Sequence, residues 1–385
     1  MPDNSRITAG HSKPPDPEPA ISELLTTRIA AGDFPSAVYL IAQACQPVFM
    51  DAVGYSVVDP YRITANPSTI YDLASLTKPL VTGLLCAMRI ESGELTMDQS
   101  VSTYLREFKR PDKETITIRH LVTHTAGLPA WKPLYIIADD NPDQVPETIA
   151  KQDLEAIPGT KVIYSDLGFI TLAFVLERIT GQTLVQLATE QIFSPLQLKQ
   201  TFFRPDLTLQ TGIAACELGN SYEHETCREM GMSEYQKRRT NLIWGEVHDG
   251  NAHFLGGAAG HAGLFSNVQD TFKLAEQFLP RSTSLLEAET CDLFRLNMTE
   301  GLNEARSLGW QLASTKDSTA GPLLPPDSFG HNGFTGTSCW IDPEHERVFI
   351  LLTNRTHNRR APFVNINSIR RQFHTLAVNA LDSMK

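Results

Sequence analysis

The two ends of this chain carry the same pattern, and that pattern demands one shared sheet. Near the N-terminus, Ile21, Leu24, Leu25 and Ile29 recur at helical spacing, with Gly32 as a stop. Two β-like runs follow at residues 36–42 and 47–54, and the short region around Cys45-Gln46 joins them as a hairpin. At the other end, residues 340–341 and 348–353 read as strands across the turn Asp342-Pro343-Glu344-His345. Ile366, Ile369, Phe373, Leu376 and Ala380 then return to helical spacing. Such elements are apolar on one side only and must pack against one another. The economical arrangement is a single antiparallel sheet assembled from both termini, with the terminal helices on one face.

The middle of the chain is helix-rich. Residues 73–91 form a largely apolar stretch closed by Ser92-Gly93, residues 166–180 another closed by Gly181, and residues 184–192 a third. Loops containing Gly127-Leu128-Pro129, Pro142, Pro146 and Pro158-Gly159 separate them. The polar stretch 217–235 matches no element. The expected organisation is a flexible, Pro-rich tail over residues 1–19, a sheet lobe of about 20–72 and 255–385, and an inserted helical lobe of about 73–254.

Composition excludes several functions. A formal net charge of -11 argues against nucleic acid and against adhesion to anionic membranes, both of which need a basic face. No run approaches the ~18 apolar residues of a spanning helix. The first residues lack the apolar core of a secretory signal, so the expected location is cytoplasmic. Cys45, Cys86, Cys216, Cys227, Cys291 and Cys339 form no C-x-x-C pair and read as reduced thiols, mostly buried. His120 and His124 stand four apart without the acidic residue of a zinc helix, so no metal and no cofactor is expected. The oligomeric state is not legible.

Three motifs carry chemistry. Ser75-Leu76-Thr77-Lys78 opens the first apolar stretch, where positions i and i+3 of a helix share a face. A serine hydroxyl is a weak nucleophile and needs a base within reach; a lysine serves if burial and neighbours depress its pKa. The bland alternative is a capping serine and a surface lysine. Tyr164-Ser165-Asp166 opens the second apolar stretch. A phenol beside that lysine can shuttle a proton, while Asp166 holds the amine; alternatively Tyr164 is a core residue and Asp166 a helix cap. His331-Asn332-Gly333-Phe334-Thr335-Gly336 precedes the strand at 338–341. Gly333 permits close backbone approach, the Phe334 N–H could join that of Ser75 as an oxyanion hole, and His331 could bind a substrate carboxylate or tune Tyr164.

Order and separation of these motifs resemble the serine β-lactamase and penicillin-binding-protein family, whose members combine S-x-x-K with two later motifs. The class C branch is the nearer likeness, with Tyr-x-Asn and Lys-Thr-Gly in those places. Leu121-Val122-Thr123-His124-Thr125-Ala126-Gly127-Leu128-Pro129 and Leu308-Gly309-Trp310 extend the likeness over nearly the whole chain after the tail. It implies a β-lactamase/transpeptidase-like α/β sandwich, an antiparallel sheet flanked by helices with an inserted helical lobe and the site between. It also implies two-step acyl transfer by Ser75, Lys78 and Tyr164, with Asp166, His331, Gly333 and Phe334 in support.

Two departures shape the expected substrate. Asp166 replaces the family's Asn, and His331 replaces its Lys, which removes a permanent cation and weakens the case for β-lactam hydrolysis. The segments Gly245-Glu246-Val247-His248-Asp249-Gly250-Asn251-Ala252 and Gly256-Gly257-Ala258-Ala259-Gly260-His261-Ala262-Gly263 resemble a branch of penicillin-binding-protein-4B-like enzymes and muropeptide amidases. His248 and Asp249 could supply substrate contacts there; structural roles for His248 and His261 fit the sequence equally. The expected activity is hydrolysis of amide or ester bonds in D-amino-acid or muropeptide-type substrates. A promiscuous carboxylesterase and a slowly deacylating penicillin-binding sensor are the rivals.

Overall fold

The computed structural model describes residues 15–232 and 238–384. Most of the expected tail, and the end of the polar stretch 217–235, lie outside the described residues. Residues 15–19 are not free of the fold: Met50 N donates to Asp16 O at 3.3 Å, and Glu18 accepts from Ile21 N at 2.8 Å as the cap of the helix Pro19–Ala30. Pro19 stands in the first turn of that helix, where its missing N–H costs nothing.

Ten strands are described: β1 Ser36–Gln43, β2 Gln46–Val57, β3 Ile63–Thr64, β4 Tyr71–Asp72, β5 Phe202–Phe203, β6 Leu264–Ser266, β7 Gln311–Leu312, β8 Phe329–Asn332, β9 Ser338–Asp342 and β10 Arg347–Thr353. Seven form one antiparallel sheet in the order β3-β2-β1-β10-β9-β8-β7. The pairing of β1 with β10, from Ala37 opposite Thr353 to Gln43 opposite Arg347, joins the two ends of the chain as the sequence pattern demands.

Side chains alternate across this sheet, so each face has its own core. Ala37, Tyr39, Ile41, Trp340, Phe349 and Leu351 face the two terminal helices, meeting Ile21 and Leu25 of one and Ile369, Phe373 and Ala377 of Asn367–Asp382. Val38, Leu40, Cys339, Ile341, Ile350 and Leu352 face the other way, into a larger core with the helical region.

Two differences from expectation have physical causes. A second sheet, β4-β6-β5, takes strands of two or three residues from three distant segments. Strands that short show no periodicity. The stretch 73–91 is not one helix but a 3-10 turn Ala74–Leu76, a π-helical turn Lys78–Gly83 and an α-helix Leu84–Glu91. Pro79 has no N–H to give to the carbonyl four residues back, so a regular α-ladder cannot run through it.

A buried polar column fixes the main sheet to the second one. Ser36 Oγ bonds Tyr71 Oη at 2.9 Å and donates to Asn354 Oδ1 at 2.7 Å. Asn354 Nδ2 in turn donates to Ser56 O at 2.9 Å.

On the outer face, His374 donates from Nδ1 to Thr319 O at 2.7 Å, while its Nε2 is buried without a partner. Burial, only partly opposed by that bond, pushes its pKa down to about 3. Above the unfolded value near 6.5 this histidine is neutral in both states; below it the unfolded chain binds a proton that the folded chain refuses. Stability is therefore full above pH ~6.5 and lost as pH falls toward ~3. In chemical denaturation between pH 6.5 and 5, H374Q should lessen the loss by up to about 1.4 kcal/mol per pH unit. An unchanged slope would show that acid destabilisation arises elsewhere.

Candidate active site

The residues of the three motifs meet at one end of the sheet, where β4, the segment behind it and the β8–β9 connection converge. Ser75 follows Ala74, whose φ of +48° lies in the left-handed region. A side chain held there carries strain on the order of 1 kcal/mol or more, so the surroundings must impose it. Asp72 does so: its carboxylate accepts from Ala74 N at 2.8 Å and from His248 N at 2.8 Å. Thr77 Oγ1 donates to Ala74 O at 2.7 Å and accepts from Leu264 N at 3.1 Å.

Lys78 is fully buried, yet its amine is satisfied on every side. Nζ donates to Ser75 Oγ at 2.9 Å and to His261 O at 3.3 Å, and stands 2.7 Å from Asp166 Oδ1. Burial pulls its pKa down, but the Asp166 carboxylate, with Tyr164, more than offsets this, so it sits above the ordinary lysine value. The sequence leaves the protonation state of Lys78 open; in the folded site its neighbours favour the ammonium form. Ser165, not Asp166, caps the helix Asp166–Thr180, through Gly168 N at 3.2 Å. Asp166 is thereby free to serve the lysine.

The Tyr164 hydroxyl faces Ser75 and Lys78, both of which act to lower its pKa. Burial raises its pKa, Lys78 pulls it back only in part, and the phenol stays protonated. Its ring is enclosed by His124 at 4.6 Å and His331 at 5.6 Å between centroids. Lys78 Nζ lies 4.8 Å and the Arg306 guanidinium 5.6 Å from the ring centre. His124 Nδ1 accepts from Ser165 N at 3.0 Å, which pins the tyrosine's own backbone. Burial, then the cations Arg306 and Lys78, hold His124 well below the ordinary histidine value, so it is neutral.

The loop after β8 is seated on the nucleophile's segment. Thr335 and Thr337 hydroxyls donate to Asp72 O at 2.7 Å and Leu73 O at 3.0 Å. A Cβ on Gly333 would lie 2.0 Å from Thr337 Oγ1 and 2.5 Å from Leu73 O, so only glycine fits. His331 donates from Nδ1 to Asn332 O at 3.0 Å, leaving Nε2 as a buried lone pair without a partner. Burial, with Lys78 and Arg306, keeps it neutral. A neutral acceptor cannot grip a carboxylate, so of its two expected roles only the one toward Tyr164 agrees with this geometry.

Around this centre lies a cleft of about 470 Å³, lined among others by Trp131, Tyr222, Arg306, Phe334, Arg355 and Arg370. His248 and Asp249 line it too. His248 Nε2 pairs with Glu217 at 2.8 Å, and its ring stacks on Phe334 at 5.4 Å. Asp249 Oδ1 meets His261 Nε2 at 2.8 Å; burial would raise the carboxyl's pKa, but His261 drives it far below the ordinary range. Asp166, Asp249 and His261 place ligand atoms within 4.8 Å of one another, a set able to hold a small cation. The Lys78 ammonium already supplies positive charge there and opposes metal entry. His120 is not gathered in: its Nδ1 accepts from Thr117 N in a capping box.

Several site residues escaped the sequence. Arg370 had a signal: a charged residue on the apolar stripe of Ile366, Phe373 and Ala377. His261 contributes a carbonyl, which no side-chain pattern announces. Tyr222 sits on a helix, Ser221–Glu229, inside the polar stretch that matched no element.

The chain matches the family described as Beta-lactamase over residues 21–370. It is 34% identical over 354 residues to a "Putative D-alanyl-D-alanine carboxypeptidase" of Escherichia coli (strain K12), covering 84% of this chain and 79% of that protein. An "N-acetylmuramyl-L-alanine amidase" of Bacillus subtilis (strain 168) is 31% identical over 362 residues, covering 88% and 80%. A penicillin-binding-protein homologue from Caulobacter crescentus shares the fold at a TM-score of 0.73 and 17% identity, over 96% of this chain and 99% of that one. No single helix among the described residues is long and apolar enough to cross a membrane.

The Asp166 carboxylate is what outweighs burial at Lys78. In D166N, burial should prevail, and the Lys78 Cε resonance in 13C-lysine NMR should titrate at least about one unit lower. An unmoved midpoint would show that another group holds the charge.

Proposed function

We infer that this chain, which belongs to the β-lactamase family of serine hydrolases, cleaves amide bonds in D-amino-acid or cell-wall muropeptide substrates through an acyl-enzyme on Ser75. One observation carries the mechanism: Lys78 Nζ touches both the Ser75 hydroxyl, at 2.9 Å, and the Asp166 carboxylate, at 2.7 Å. As Ser75 attacks the carbonyl, its proton passes to the Lys78 nitrogen while Lys78 hands one of its own to Asp166. Tyr164 gives its phenolic proton to the leaving nitrogen and is reprotonated through Lys78 from Asp166. The number of protons is conserved, and the Asp166 carboxylate is the one base the resting site has to supply. Water then attacks the ester along the same path in reverse. The backbone N–H groups of Ser75 and Phe334 are the proposed donors to the carbonyl oxygen during both steps.

The cleft suits a substrate with a free carboxylate. Arg355 and Arg370 line it, and among the described residues neither has a carboxylate partner. They supply the positive charge that His331 does not. The names of the two relatives above agree with D-alanyl or muramyl amide substrates. Six reduced cysteines, five of them buried, support a reducing compartment, hence the cytoplasm.

A fluorophosphonate should add once to the intact chain, as read by intact mass, and not at all to S75A. Turnover of the preferred substrate should fall at least about 10³-fold in S75A. In a panel of p-nitrophenyl esters, cephalosporins, D-alanyl dipeptides and muropeptides, kcat/KM should be highest for the last two. Ester turnover with none of the peptides cleaved would make the protein a carboxylesterase instead.

A further inference from the structure

We propose that Arg370 strengthens the oxyanion hole from behind, by polarising the peptide that joins Gly333 to Phe334. The inference rests on the reading above, in which the Phe334 N–H receives the developing negative charge. In a trans peptide the C=O and the N–H belong to one conjugated plane and point in opposite directions. A cation on the carbonyl oxygen therefore draws electron density from the nitrogen and makes the N–H on the far side a better donor.

Arg370 is placed for this. Its Nη2 donates to Gly333 O at 2.9 Å and to Thr337 O at 2.9 Å. Gly333 O is the carbonyl of the peptide whose N–H belongs to Phe334. Nη1 donates to Asn367 Oδ1 at 2.9 Å, one turn earlier on the same helix, which orients the guanidinium plane. Arg355 repeats the device on the next peptide, with Nε 2.7 Å from Phe334 O. Two successive carbonyls of the loop thus each face a guanidinium.

The arrangement is costly, although it also ties the loop to the helix. Arg370 is 5% exposed, has a buried Nε without a partner and, among the described residues, meets no carboxylate. It stands in the first turn of Asn367–Asp382, where the helix dipole opposes positive charge and where no acidic residue compensates. Burial, with Arg355 nearby, lowers its pKa to about 9. In such a dry setting the charge acts on the peptide with little screening. Arg370 is a positioning residue: it acts on the reaction through the Phe334 N–H.

The test uses the full chain and probes without a carboxylate. R370Q should slow both fluorophosphonate labelling and p-nitrophenyl acetate turnover about ten- to a hundredfold, in kcat with KM little changed. R370K, which keeps one charged donor, should recover part of that loss. The 31P resonance of the phosphonylated Ser75, whose P=O occupies the hole, should move in R370Q and move back partway in R370K. Circular dichroism checks folding; should R370Q not fold, N367A frees the guanidinium and should give a smaller change of the same sign. Parent-like rates and 31P shift in the variants, with KM raised only for carboxylated substrates, would overturn the inference and leave Arg370 a simple anion site. Absence of any Ser75 adduct in the parent chain would instead sink the acyl-enzyme reading, and this inference with it.

Discussion

An ammonium cut off from water needs an anion at contact distance, and Lys78 finds one in Asp166. Removing one partner of such a buried pair leaves a charge uncompensated, at a typical cost of about 3–5 kcal/mol. The pair therefore dictates much around it. It holds the start of the Asp166–Thr180 helix against the Ser75 segment. It sets the resting proton inventory: ammonium, carboxylate, neutral phenol. The histidines at 124 and 331 are neutral chiefly because they are buried, and the charges of Lys78 and Arg306 add to that.

The substitution of Asp for the family's Asn at position 166 gains meaning from this. An asparagine could accept one hydrogen bond from the lysine but could not take its proton. The carboxylate can do both. Likewise His331 in place of Lys withdraws a charge from the cleft rim, while Arg355 and Arg370 stand deeper in the wall. In this chain the positive charge of the cleft stands on the loop and the helix behind the strand edge.

Much of the frame was readable because long strands alternate and terminal helices keep their stripe. Residues 36–42 and 348–353 announced themselves, and their union across β1 and β10 followed from one-sided burial. Ser75 and Lys78 were readable as helical neighbours and Tyr164 as their partner through the motif set; the π-turn that follows Lys78 at Pro79 was not. The second sheet was invisible, since two-residue strands such as Phe202–Phe203 have no period. Asp166 was readable as the group that holds the amine, but not that Ser165 takes over the helix cap, because either residue type can fill that position. Arg370 lay in plain view as a polar interruption of an apolar stripe, but its target, a carbonyl in a distant loop, has no sequence signature.

The clasp between Thr335 or Thr337 and the carbonyls of Asp72 and Leu73 spans more than two-thirds of the chain, 263 and 264 residues respectively. During synthesis the reactive hydroxyl emerges from the ribosome long before the loop that completes its surroundings. Until the last strands and the final helix are made, there is no finished pocket for an acyl group to enter. Nascent and prematurely terminated chains therefore lack the finished site.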